Sequence, residues 1–211
     1  MRICTLWLAG AAALLMATGS AWAAPIVDGI VLPAEYATSL ADATGEPGVD
    51  NPGLDINTLE YDSDASWHYF ALTVVGPPYD TDGGATSRRR QTDLWTIMYA
   101  DSAGTTPAYL LDVLTGTGGT ILSVTLDQYV GGTWVPVALA PADFQVSVGT
   151  ALEVAIAKTK MALISNPYVF GQLDDTGSAA DDQVEGVVPE PATLALLGLG
   201  AAAALASRRR K

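Results

Sequence analysis

From Trp67 to Val75 the chain reads Trp-His-Tyr-Phe-Ala-Leu-Thr-Val-Val and then meets Gly76-Pro77-Pro78. Aromatic and β-branched residues suit a pleated surface, and the glycine and prolines end it, so this run predicts a strand. Side chains alternate across a strand, which puts His68, Phe70, Leu72 and Val74 on one face and Trp67, Tyr69, Ala71 and Thr73 on the other. Residues 94–100, 109–114, 121–129 and 152–157 read the same way, with weaker candidates at 134–139 and 146–148. Pro136 lacks an N–H and suits a sheet edge. Gly118-Gly119 and Gly131-Gly132 have the composition of hairpin turns. In 152–157, Leu152, Val154 and Ile156 point to the core, and Glu153 is expected to face water. Seven or more short strands, little helical periodicity and no internal repeat predict an all-β fold, an antiparallel sandwich of jelly-roll type over residues 24–170.

Two terminal segments stand outside that domain. Arg2, the apolar stretch Leu6–Met16 and Ala21-Trp22-Ala23 follow the charged, apolar and small-residue order of a cleaved export signal over 1–23. Ala21 and Ala23 stand where a signal peptidase reads. The other reading, an uncleaved membrane anchor, needs a longer apolar run. Cys4, the one cysteine among 211 residues, falls inside this segment and away from the cleavage point. Cleavage leaves no thiol, which excludes disulfides, cysteine-ligated zinc and a cysteine nucleophile. Roughly 165 residues can instead hold themselves together through a core.

Five of the 10 basic residues, Arg2 and those at 208–211, lie in the terminal segments, as does Glu190 among the 23 acids. Residues 24–188 therefore carry 5 basic and 22 acidic side chains, a net charge of −17. Such a surface repels phosphate backbones, so nucleic acid is excluded as a partner.

The C-terminal segment has three parts. Pro189-Glu190-Pro191 comes first, then the apolar run 192–206, then Ser207 and the basic tail Arg208, Arg209, Arg210 and Lys211. As a helix the 15 apolar residues would reach about 22 Å, short of a hydrocarbon core of about 30 Å, so Ser207 and snorkelling arginines must complete a transmembrane span. The basic tail belongs on the cytoplasmic side. In that order these elements resemble the PEP-CTERM sorting signal of Gram-negative bacteria. The resemblance implies processing near the motif by an exosortase, a membrane cysteine protease or transpeptidase. It also implies hosts that make extracellular polysaccharide and biofilm matrix. The expected route is export through the inner membrane, transient anchoring facing the periplasm, then the cell surface or extracellular matrix. Residues 171–188, acidic and rich in small side chains, are expected to form a flexible spacer that presents the motif.

The domain carries a second, fainter resemblance. Ile26-Val27-Asp28-Gly29 with Glu35-Tyr36, the strand at 67–75, and Leu152-Glu153-Val154-Ala155-Ile156 followed by a helical turn over 158–164 are similar to family 9 carbohydrate-binding modules and DOMON-like domains. This implies a sandwich fold and directs attention to polysaccharide.

For chemistry, the single histidine, His68, lies on the core-facing side of its strand without a partnered ligand. No nucleophile elbow, phosphate loop or zinc-protease motif occurs. We therefore expect no enzyme. The competing class is a secreted glycoside hydrolase, which needs two acids about 5–10 Å apart across a groove. A third class is a purely structural matrix component. Calcium is the one candidate cofactor, since it takes six to eight hard oxygens. Its candidate ligands are Asp62, Asp64, Asp80, Asp82, Asp174 and Asp175, although Asp and Asn are also ordinary turn residues. The candidate glycan contacts are Trp67, Tyr69, Trp95, Tyr99 and Trp134, with Tyr129 close by, because sugar rings stack on aromatic faces.

Overall fold

The computed structural model describes residues 23–42, 55–76, 92–104, 106–175 and 182–188. Eleven strands occur among them: β1 Thr38–Ala41, β2 Ile56–Ser63, β3 Trp67–Val74, β4 Thr92–Ala100, β5 Pro107–Gly116, β6 Thr120–Val130, β7 Thr133–Pro136, β8 Phe144–Val148, β9 Ala151–Ala157, β10 Tyr168–Asp175 and β11 Asp182–Val187. They form two antiparallel sheets, ordered β1-β2-β3-β9-β8 and β11-β10-β4-β5-β6-β7. The expected all-β sandwich is what the chain adopts.

The alternation in β3 divides as its sequence predicts. Phe70 and Leu72 enter the main core with Leu59, Trp95, Ile97, Leu111, Leu152 and Ile156, while Tyr69 and Ala71 join a smaller cluster with Tyr36 and Ala155 on the opposite face of the five-stranded sheet. Both faces of β3 and β9 are thus covered. That explains why β9 is buried from Ala151 to Ile156, with no polar face left over.

The second cover is the N-terminal segment, and it overturns the expectation for Glu153. The Glu153 side chain is fully buried, not turned to water. Its Oε2 accepts hydrogen bonds from the backbone N–H groups of Asp28, Gly29 and Ile30 at 3.0, 2.6 and 3.0 Å. Its Oε1 accepts one from the Tyr36 hydroxyl at 2.7 Å. A buried carboxylate must be paired or hydrogen-bonded to be tolerated, and here four donors surround it. Gly29 is required for this wrap. Its φ is +88°, and a Cβ there would stand 2.5 Å from the backbone nitrogen of Gly149. Glu35 stitches the same loop, accepting from Ile26 N–H at 2.9 Å and Leu32 N–H at 2.8 Å.

Both predicted glycine turns are present. Thr117–Gly119 is a short 3₁₀ turn between β5 and β6, and Gly131-Gly132, both at positive φ, join β6 to β7. Pro136 ends β7, the edge strand of the six-stranded sheet, as expected for a residue with no N–H to give. The turn after β9 is shorter than the helical turn expected over 158–164. It is a single tight turn closed by Lys160 and Met161 N–H donating to Ala157 O.

The largest correction concerns 171–188. Instead of a spacer, the described part of this segment is sheet. β10 pairs with β4 over its whole length, and β11 pairs with β10 from Leu173–Asp182 to Tyr168–Val187. Val184 and Val188 belong to the main core. The sandwich therefore runs past residue 170 to Val188. The missed signal is the alternation of Asp182, Val184 and Gly186 with Gln183, Glu185 and Val187, whose net acidity disguised it. Among the described residues no helix is long and apolar enough to cross a membrane. The expected apolar helix at 192–206 lies outside them.

Candidate functional site

Three sets of side chains stand out in the sequence, and the fold separates them. His68, read there as a packed residue without a partnered ligand, is the simplest. It is fully buried on the core side, with Nδ1 3.0 Å from the Tyr61 hydroxyl and Nε2 3.0 Å from Met161 O. Only a ring nitrogen bearing hydrogen can serve the carbonyl, so Nε2–H donates to Met161 and Nδ1 accepts from Tyr61. Burial, with the Lys158 charge adding to it, pushes the imidazole down to about 4. The ring is neutral and closed off, and its bonds fasten the turn after β9. Tyr99 and Tyr109 do the same, accepting from Ile164 N–H and Ala162 N–H, each at 3.1 Å.

The calcium candidates do not converge. Asp64 spends its carboxylate on its own hairpin, accepting from Ser66 N–H, Trp67 N–H and the Tyr69 hydroxyl. Those bonds hold it below the usual carboxylate range despite some burial. Asp62 accepts from Ser63 N–H, and partial burial pushes its pKa up. Asp174 and Asp175 lie within β10, opposite Leu94 and Asp93, and not on the turn expected of them. Asp80 and Asp82 lie outside the described residues. Among the described residues no group of three or more His, Cys, Asp or Glu could hold a metal ion.

The aromatic candidates divide by sheet face. Trp95 and Tyr99 are corrected outright. At 0% and 1% exposure they fill the main core, Trp95 donating from Nε1 to Thr115 Oγ1 at 3.2 Å, and no glycan reaches them. Tyr69 is buried in the smaller cluster, and Trp67 is half-buried against it. Trp134 alone of the five stands exposed, at 38%. It lies opposite Tyr129 in the β6–β7 register, and the rings meet edge to face with centroids 5.1 Å apart and planes at 62°.

The register shows which face carries this pair. In β6, Leu126 is buried in the core, so Thr125, Asp127 and Tyr129 point outward. Leu110 stands opposite Asp127, Met98 opposite Leu110, and Phe170 opposite Met98. This gives a half-buried apolar row, Phe170–Met98–Leu110, running across three strands to Asp127, two residues along β6 from Tyr129. The next row is polar: Gln172, Thr96, Asp112 and Thr125. Thr96 Oγ1 donates to Asp112 Oδ1 at 2.7 Å. Partial burial pushes the Asp112 carboxyl up, and nearby Asp127 adds to the shift.

The outer face of the six-stranded sheet thus offers half-buried apolar surface, a ring pair at its β7 edge, and a parallel row of hydroxyl, amide and carboxylate groups. Such a surface can stack on one side of a ring and hydrogen-bond the groups around it. The chain's spacing could have revealed Tyr129 and Trp134 as partners, because Gly131-Gly132 sits between them as a two-residue turn. The apolar row could not be read in advance, since it is assembled from three strands whose order only the folded sheet sets.

The sorting residues Pro189, Glu190, Pro191, Arg208, Arg209, Arg210 and Lys211, and the cleavage residue Ala21, lie outside the described residues. Residues 187–211 match the PEP-CTERM protein-sorting motif. The match starts at Val187, where β11 ends. No curated protein matches the chain.

Proposed function

We propose that this chain, which is a PEP-CTERM protein exported and held by its C-terminus until an exosortase processes it, is a non-catalytic matrix protein that binds extracellular polysaccharide. Its binding surface in this reading is the outer face of the six-stranded sheet. The observation that carries it is the Tyr129–Trp134 pair, Trp134 exposed and Tyr129 half-buried, on the same sheet face as the Phe170–Met98–Leu110 row. A pyranose ring has one apolar C–H face and a rim of hydroxyls, and this surface matches the two in parallel rows.

Charge narrows the ligand further. Asp112 and Asp127 stand diagonally on this face, and residues 24–188 carry a net charge of −17. A polyuronate or sulfated chain would be repelled, so the polysaccharide in this reading is neutral. The final location is the cell surface or the surrounding matrix. Signal peptidase acts first at Ala23, and the inner membrane holds the precursor before processing.

The test uses the exported protein and Trp134→Ala, with retardation in gels containing neutral or acidic polysaccharides. The native protein should be retarded by a neutral polysaccharide. The variant should lose at least about tenfold in affinity, in line with the weight of a central aromatic anchor. Because Trp134 is exposed on an edge strand, its melting temperature should hardly move. Equal retardation of both proteins, or of neither, would remove the polysaccharide from this account.

A further inference from the structure

The join between the sandwich and the sorting signal has no slack. β11 is paired residue by residue with β10 through Val187. The next residue, Val188, is 3% exposed, belongs to the main core, and donates its N–H to Pro167 O at 2.8 Å. Two further contacts lock the strand. Gly186 lies so close to Leu40 that a Cβ on it would stand 2.9 Å from that side chain. The Tyr168 hydroxyl bonds Glu185. Pro189 follows Val188 directly, and the apolar run begins at Ala192.

Three residues therefore separate a core side chain from the apolar segment, at most about 14 Å of extended chain from Val188 to Ala192. A protease holds its substrate extended, through several residues on each side of the bond it breaks. No such stretch exists on the sandwich side unless β11 peels away from β10.

We propose that the fold itself bounds the processing step: the exosortase breaks a bond after Val188, with the sandwich hard against it, and the lock on β11 limits how fast that bond is reached. The finished protein keeps β11 whole. In the step, the carboxyl half of the broken amide stays with the sandwich and passes to water or to an amine acceptor. The nitrogen half leaves with the apolar segment, carrying the proton that the acceptor gives up. This holds whether or not the sandwich binds polysaccharide.

Two measurements on the full chain, made in an exporting host with its exosortase, decide it. The intact mass of the processed protein should place its last residue at Val188 or later. An end at Val187 or earlier, or exported protein still ending at Lys211, overturns the proposal. Inserting six Gly and Ser residues between Val188 and Pro189 leaves the sandwich untouched and supplies the missing slack. Pulse-chase labelling should then show the precursor half-life falling at least threefold. An unchanged or longer half-life means that the motif sets the pace without the fold, and the proposal fails.

Discussion

His68 shows how one buried polar side chain ties two parts of the sandwich together. Its neutral ring accepts from Tyr61 and donates to Met161, so it joins β2, β3 and the turn after β9. Protonation would put a charge in the core and remove the acceptor that Tyr61 needs. The folded pKa, about 4, lies below the ordinary value of 6.5. The stability this residue contributes is therefore complete above about pH 6.5 and is lost as pH falls toward 4. The loss should reach ~3 kcal/mol, since each tenfold difference in proton affinity between the folded and unfolded chain is worth roughly 1.4 kcal/mol. Urea unfolding followed from pH 7 to pH 4 should show this slope. His68→Gln, which keeps a donor and an acceptor but does not titrate, should unfold more easily at pH 7 and show a shallower slope. Equal slopes in the two proteins would mean that the histidine is not the titrating group.

Among the elements, the N-terminal segment is the one whose hold on the sheet gathers around one buried side chain. Its described residues form no strand before β1, and they are held to the five-stranded sheet by Glu153 and by Gly29 O, which accepts from Thr150 N–H and Ala151 N–H at 2.8 and 3.1 Å. Val27 and Val31 pack beside Tyr36 and Tyr69 under the loop that the Glu153 carboxylate gathers. Glu153→Gln preserves the shape but replaces one oxygen with an NH₂ group facing donors. The expected cost is ~2–4 kcal/mol, since hydrogen bonds to a charged group are lost and donors are left buried. Amide exchange at Asp28, Gly29 and Ile30 should rise along with it. A drop in stability with those three amides still protected would show that the loop is held by packing instead. The alternation Leu152, Val154, Ile156 correctly identified the core face of β9. It could not show that the other face is also covered, because the cover comes from residues more than a hundred positions away.

For the whole molecule, the decisive element is the last strand. β11 closes one edge of the six-stranded sheet and adds Val184 and Val188 to the core. Fully burying a valine is worth roughly 1.5–3 kcal/mol, and losing the strand also bares the edge of β10. A chain ending at Val188 should melt where the processed protein melts. One ending at residue 181 should lose ~4 kcal/mol or more and tend to aggregate. Matching melting curves for the two truncations would show that the sandwich is complete without β11.

Much of this architecture was legible because it depends on local chemistry. The period-two alternation of 67–75, the glycine pairs at 118–119 and 131–132, and Pro136 each impose a conformation on their own few residues. The sorting motif at the C-terminus is read from contiguous residues in the same way. Burial is different, because it depends on what arrives from elsewhere in the chain. Glu153 and the acidic 171–188 stretch looked solvated, yet one is enclosed by the N-terminal loop and the other supplies an edge strand. Trp95 and Trp134 look alike in sequence, both being aromatic residues on strands. Strand order and sheet pairing place Trp95 in the core and leave Trp134 on the open face. The sequence alone determined an exported β-sandwich with a sorting signal. The tertiary structure decided which side chains remain accessible and brought the end of the fold to the first residue of Pro-Glu-Pro, because both depend on contacts between distant segments.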